Sequence, residues 1–588
     1  MMQLISKKKP LFFIRMTSLI LLLAIMSSLN HCKAPQFLEK NNPSTQVIIP
    51  RIADMPNQPS PYRYRDWEQT ALAFDDYVFD FQPDGDQKPM IWWDNAGRNF
   101  PSKTFGFYTA VGDVRFGPQV NNGENHEALA ALGAVLGATM VGIDKSNQDG
   151  ENYVSMMKNY FNKDNGWNVI MNFTSKSAHV GGGYGNDFWY EVHNNVLFYA
   201  LGHFYPQTKD FDTIMRTIAN QFYLSDSVMG DSYSYSYFDF KEMKGYKNHI
   251  PTQEDVAGGY AFIFYAAWIK YQDPKYLKAA KNAIDVLYNQ KENRFYEAMM
   301  PIAAQIAARL NAEQGTNYDV SRFLNWTFDG DAVGREGWGV LATKFGNYDV
   351  SGLAGSTVHN GGYGFLMNTF DLILPLTVLV RYDQSYSNMV GKWVLNASNA
   401  ARFCYDFEMP DSLQALPNMR SLTKGVIAYE GIIRESSYDE FKGITPFVQG
   451  DGPQWVAGNP ESTMLSIYGS GHVGFFGGII DSTNVPMILK IDCVKADFFP
   501  EKTSYPTYLY YNPHSKKQNV TIDLGKEKVD VYDKVSATFL MKNVNLQQSF
   551  LIEPSSSRLL VLIPAGKKYT TNNGNLIAAD IVVDYKYN

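Results

Sequence analysis

At 588 residues the chain has room for a large core and more than one domain. Its 45% hydrophobic and 19% charged content is that of a globular protein, and a net charge of −7 with no long basic run sets nucleic acid aside as a partner. Aromatic residues reach 14%, with 38 Tyr, 37 Phe and 10 Trp, enough for both a core and a ligand site.

The chain opens with Lys7, Lys8, Lys9 and Arg15 ahead of the apolar run 19–26, the charged and apolar regions of a secretory signal over 1–32. That run is too short to span a membrane. It ends in "LNHC", which resembles the lipobox of bacterial lipoproteins with Cys32 as the lipidated residue, although Asn30 and His31 depart from the small residues usual there. The resemblance implies export to the periplasm or cell surface, with a lipid anchor as the sole membrane contact. Residues 33–62, rich in Pro, Asn, Gln and Ser, read as a tether. Cys404 and Cys493 sit in apolar patterns and read as buried free thiols; no zinc spacing exists, and no metal or cofactor is expected.

From residue 64 the chain is helical in two alternating styles. A first helix is expected over 64–79. Amphipathic stripes at helical spacing then follow: Tyr153, Met156, Met157, Tyr160 and Phe161; Phe211, Ile214, Met215, Ile218 and Phe222; Tyr276, Ala279, Ala280, Ala283, Ile284, Leu287 and Tyr288; Val320, Phe323, Leu324, Thr327 and Phe328; and Met389 through Cys404. Each has one face in water. Between them lie segments apolar nearly all round, at 127–143, 196–205, 255–269, 299–310 and 365–380, which require cover on every side. Polar residues interrupt these runs, so they read as buried inner helices and not as membrane spans. Further helices are expected over 463–480 and 485–499.

Outer and inner helices alternate at 45–70 residues per hairpin, a helical-repeat period. The link "YQDPKYLKAAKNAIDVLYN" (271–289) resembles the hairpin connection of bacterial (α/α)6-toroid carbohydrate-active enzymes, of the glycoside hydrolase or polysaccharide lyase type. The resemblance implies a mainly α fold, with a toroidal catalytic domain over 63–500 acting on an oligo- or polysaccharide. After Pro500 the period changes to two. Strands are expected at 507–513, 519–525, 528–533, 536–544, 548–554 and 558–566, a small β-sandwich over 501–588.

The loops entering the inner helices collect Trp, Tyr, His, carboxylate and Gly, whereas the loops leaving them ("GIDKSNQDGEN", "YPQTKD", "YQDPK") are short and polar. Functional sites concentrate on loops of this first kind. Glycoside hydrolysis needs one protonated and one ionised carboxyl across the scissile bond. Asp329 and Asp331, between Phe328 and Trp338, are candidates for one role and Glu430, beside Tyr429, for the other; Glu254 or Asp255 are substitutes. Acid and base stay unassigned, as does inverting against retaining. Trp93, Trp189 and Trp338 are expected to stack on sugars. Arg335, His126, His193 and His359 are expected to bond hydroxyls, with Tyr190, Glu191 and Asp255 in the same cleft. A polysaccharide lyase is the alternative, with Tyr190 or His193 as base and Asn194, Asn195 and Arg335 neutralising a uronate. The third reading is a glycan-binding surface lipoprotein without catalysis.

Overall fold

Helices that are apolar on every side need neighbours on every side, and the chain supplies them by closing its inner helices on one another. A computed structural model describes residues 43–83, 85–174 and 187–587; the signal segment, Cys32 and residues 33–42 of the expected tether lie outside the described residues. In chain order the helices are α1 (Trp67–Val78), α2 (Ala128–Met140), α3 (Phe188–Phe204), α4 (Phe211–Met229), α5 (Val256–Tyr271), α6 (Pro274–Tyr288), α7 (Met299–Gln314), α8 (Val320–Phe328), α9 (Leu366–Tyr382), α10 (Ser387–Ala401), α11 (Ile467–Gly471) and α12 (Val473–Ile479). A short helix, Tyr153–Met156, runs on into the 3-10 turn Met157–Tyr160.

Local chemistry sets the ends of the amphipathic helices. Asp66, Asp273 and Asp319 each accept a backbone N–H at the starts of α1, α6 and α8, and Pro274 occupies the first turn of α6. In α6 the buried residues Tyr276, Ala279, Ala280, Ala283, Ile284 and Leu287 are the predicted stripe. The inner helices show no such face: every residue of α9 is buried, as is nearly every residue of α2. α2 packs on α3, α3 on α5, α5 on α7, α7 on α9, α9 on α11 and α12, and both of these on α2. The six inner positions therefore make a closed cycle.

Its closing seam is lined with glycine. A Cβ on Gly474 would fall 2.3 Å from the carbonyl carbon of Gly137, and one on Gly137 would fall 3.1 Å from the Gly471 carbonyl oxygen. Above it, Gly133 makes room for His472, whose Nδ1 lies 2.6 Å from Asp371 Oδ1 on α9. The helix expected over 463–480 is thus split in two at His472, at the point where it crosses α2.

Three further expectations are corrected. Residues 485–499 form a strand, Leu489–Asp492, and a loop, and burial alternates along the strand with period two. The strand-rich region accordingly begins at residue 480 and not at 501. The tether is packed from residue 43 onward: Ile49, Ile52 and Met55 are buried in the main core, and Val47 donates its N–H to the Ser385 carbonyl. Its polar composition hid three well-placed apolar side chains.

Of the short strands that interrupt the helical region, five belong together: β1 (Trp338–Val340), β2 (Ala354–Ser356), β3 (Tyr363–Phe365), β4 (Gly431–Ile433) and β5 (Phe447–Gln449). They form an antiparallel sheet in the order β5-β4-β3-β2-β1. The C-terminal region holds β6 (Ile480–Ser482), β7 (Leu489–Asp492), β8 (Thr507–Asn512), β9 (Gln518–Asp523), β10 (Val529–Asp533), β11 (Thr538–Val544), β12 (Gln547–Ile552) and β13 (Ser556–Pro564). β6-β7-β8-β13-β10-β11 make one sheet, and β9-β12 pack on it through Val520, Ile522, Phe550 and Ile552. A three-stranded sheet over 569–584, absent from the sequence expectations, follows. Ile491, Leu509 and Leu559 share one buried cluster with Val390 and Trp393 of α10, so strands and helices have a common core.

Ring closure at glycine yields a direct test. Gly474→Ala places a methyl group against backbone that no side-chain rotation can clear, and is expected to cost at least about 1–3 kcal/mol, read as a lowered denaturant midpoint. Gly471→Ala, whose Cβ would meet its nearest neighbour, Ala134, at 3.4 Å, serves as the comparison; an unaffected Gly474→Ala protein would show that the seam is not tight.

Candidate active site

The loops entering the inner helices converge on a cavity of about 650 Å³. Asp187, Trp189 and Tyr190 reach it from the start of α3, Tyr296 and Glu297 from the turn before α7, Phe365 and Met367 from the start of α9, and Tyr468 from α11. The five-stranded sheet and its connections supply the rest, notably Arg335, Trp338, Tyr363, Glu430, Tyr438, Gln449 and Asp451.

Glu430 directly precedes β4 and is buried. Tyr363, paired across the sheet with Ile433, donates its phenolic hydrogen to Glu430 Oε1 at 2.6 Å, and the Asp451 N–H donates to Oε2 at 3.0 Å. The Glu430 and Asp451 side chains are hydrogen-bonded to each other. Burial pushes both carboxyls up. Glu430 is held back by the donors from Tyr363 and Asp451, whereas Asp451 is pushed well up by burial and then by the negative charge of Glu430. The pair thus keeps one proton, on Asp451, against an ionised Glu430.

Asp187 stands on a different wall. Gln253 donates to its Oδ2 at 2.9 Å and accepts the Trp189 N–H at 2.7 Å, which fixes carboxylate and helix start together. Its Oδ1 is buried with no hydrogen-bond partner among the described residues, and burial pushes its pKa up to about 7. Glu297 is differently placed: it is ion-paired with Arg335 and accepts from the Asn368 amide. Arg335 in turn lies 3.5 Å over the Trp338 ring, whose indole N–H reaches the Glu297 carbonyl. This Arg–Glu–Trp unit is charge-compensated and rigid.

Of the residues singled out in the sequence, the cavity brings together Glu430, Trp189, Tyr190, Arg335, Trp338 and His359. Asp329 and Asp331 are not among its lining residues. Asp331 is exposed and accepts from Asn293 at 2.6 Å, and the Asp329 carbonyl is bonded by Arg51. Both lie in the turn that leaves α8, before the chain enters β1. Trp93 is stacked on Phe81 at 3.8 Å, and His126 is buried 3.1 Å from Asp94. Glu191 accepts the Phe238 N–H and Asp255 the Tyr296 N–H, both as buried backbone anchors. His193 lies one turn beyond the cavity, its Nε2 3.5 Å from Asp371.

Asp187, Glu297, Tyr438 and Asp451 were passed over as site residues. Asp187 and Asp451 stood in the loops that the sequence reading marked as rich, and each directly precedes a helix start, where a capping role masks a chemical one. Among the described residues no group of three His, Cys, Asp or Glu has the arrangement of a metal site.

No protein-family model matches the chain, and no curated protein matches it. Among solved structures it is similar to a GH127 beta-arabinofuranosidase (11% identity, 77% of this chain and 74% of that chain, TM-score 0.29). It is also similar to Ara127N-Se, a GH127 beta-L-arabinofuranosidase from Geobacillus stearothermophilus T6 (11% identity, 91% and 83%, TM-score 0.30), and to a structure described as a glycoside hydrolase (12% identity, 77% of each, TM-score 0.32). At these identities and TM-scores nothing about the site follows from them.

The raised Asp187 has a thermodynamic signature. Because its folded value of about 7 exceeds the ordinary Asp value near 4, the folded state holds the extra proton between those limits. Stability attributable to this group therefore falls as pH rises from about 4 to 7, by up to about 1.4 kcal/mol per unit. Asp187→Asn is expected to remove that decline, so that its melting temperature overtakes the wild type toward pH 7. Parallel pH profiles for the two proteins would contradict the assignment.

Proposed function

We propose that the protein is a glycoside hydrolase built on an (α/α)6 toroid with a C-terminal β region. The observation that carries this reading is the hydrogen-bonded Glu430–Asp451 pair, which keeps one carboxyl protonated in an aromatic cavity that a second carboxyl, Asp187, enters from another wall. Asp451 is the general acid that protonates the glycosidic oxygen, and Glu430 keeps the proton available by supplying the adjacent negative charge. Asp187, poised at about 7, is suited to take the proton of the attacking water. Trp189, Tyr190 and Tyr363 supply faces for sugar rings, whereas Trp338, expected to stack on a sugar, is buried with Arg335 over its ring.

The substrate is a neutral glycan. Among the described residues Arg335 is the cation lining the cavity, and Glu297 already compensates it, leaving acidic groups in excess there. The same point weighs against a lyase. Tyr190 and His359 line the cavity, but His193 points to Asp371 and Asn195 is consumed by backbone contacts with Ile170 and Glu191. The N-terminal residues support a lipid-anchored, exported enzyme.

The assay is incubation with a panel of neutral and uronate-containing glycans, read as new reducing ends and as absorbance of an unsaturated uronate. Reducing ends alone are expected. Asp451→Asn and Glu430→Gln are expected to lower kcat by roughly 10²–10⁴, whereas Asp331→Asn leaves it unchanged. Unsaturated product, or full activity in both variants, would overturn the reading.

A further inference from the structure

Trp455 is 43% exposed at the edge of the cavity, four residues after Asp451. It gains little by burial, yet it is held in place. The Arg115 guanidinium lies 4.3 Å from the centre of its ring. Arg115 is itself clamped by the buried Asp113 carboxylate, with Nε 2.9 Å from Oδ1 and Nη2 2.5 Å from Oδ2. The segment carrying this clamp is fastened to the chain around Trp455: the Val114 N–H donates to Asn459 Oδ1 at 3.0 Å, the Ser462 hydroxyl to the Val111 carbonyl at 2.8 Å, and the Val111 N–H to the Leu465 carbonyl at 3.0 Å. An exposed indole is thus braced by a guanidinium, the guanidinium by a carboxylate, and the whole by loop-to-loop hydrogen bonds.

Such bracing removes the ordering cost that a free surface side chain would meet on binding a ligand. It also fixes the distance between the indole face and the proton-bearing carboxyl. We infer that Trp455 is the platform of a second sugar subsite at the cavity mouth, holding the ring on the leaving-group side of the Glu430–Asp451 pair. The ligand class is a neutral pyranose or furanose ring presenting a C–H face to the indole. The inference rests on the hydrolase reading for its leaving-group side, and on the exposed, braced ring for the subsite itself.

The test separates binding from turnover. Full-length Glu430→Gln protein, with and without Trp455→Ala, is applied to immobilised neutral di- to hexasaccharides of the gluco, galacto, xylo and arabino series. Trp455→Ala is expected to weaken binding of the retained oligosaccharides at least tenfold, and Trp455→Phe to restore most of it, with melting temperatures unchanged throughout. Equal binding with and without the indole overturns the subsite and leaves the hydrolase reading standing. If the Glu430→Gln protein retains no oligosaccharide, the subsite is likewise overturned, and wild-type turnover of the same panel decides the hydrolase reading on its own.

Discussion

The approach of α2 to α11 and α12 is the constraint on which the rest depends. Glycine at 137 and 474 lets these backbones meet as closely as they do, and that meeting closes the cycle of inner helices. Closure has a consequence for chemistry. In an open stack the loops leading into successive helices would spread along an edge; in a closed cycle they share one cavity. Asp187, Glu297, Phe365 and Tyr468 come from four separate hairpins, yet each lies at or within two residues of the start of an inner helix and lines the same space.

The five-stranded sheet adds what the helices alone lack. Helix starts bring single side chains, whereas adjacent strands bring side chains to fixed separations. Tyr363 and Ile433 are cross-strand partners, and Gly431 pairs with Gln449, so the residues that follow or precede these strands, Glu430 and Asp451, are held at hydrogen-bonding range. Two carboxyls forced together in a buried setting cannot both ionise, and the donors on Glu430 decide which keeps the proton. Proton placement is therefore a product of strand register.

Sequence periodicity carried most of the helical architecture, because a residue that must be buried repeats at 3.6 and is visible without a structure: the stripes in α4, α6 and α8 are buried as read. Period two carried the C-terminal strands equally well. The site was less legible. Strands β1 to β5 are each three residues long and rich in glycine, which is depleted in ordinary strands, so nothing in "EGWGVL" or "AYEGII" marks a sheet. Without the sheet, the density of charge around Asp329 and Asp331 looked like the centre of the chemistry. Arg335 and Trp338, a few residues on, do line the cavity, but the two aspartates flank a turn at Gly330, whose φ is +74°, ahead of the segment that reaches it. Proximity in sequence failed there at a single backbone reversal. Glu430 was found because it stood beside an aromatic on a loop of a separate hairpin.

Below the cavity the inner helices carry a second layer with polar groups on the axis, which closes its floor. One turn further along α3, α7 and α9 come His193, Ile302 and Asp371, with His472 bonded to Asp371 from the seam. The two histidines hold the Asp371 carboxyl down to about 2, so a fixed negative charge sits at the axis, compensated on both sides. Beneath it a void of only about 30 Å³ is closed by Ala496 and Phe498, from the loop that joins ring and strands. Arg309 bonds the carbonyls of Phe498 and Phe499, and Arg381 pairs with Asp497, so that loop is clamped by two buried guanidiniums. Breaking either pair would strand a buried charge, which makes the seal expensive to open. A ligand that enters from the loop side must therefore leave by the same side, and the walls it passes are those of the sheet and of the turn that carries Trp455.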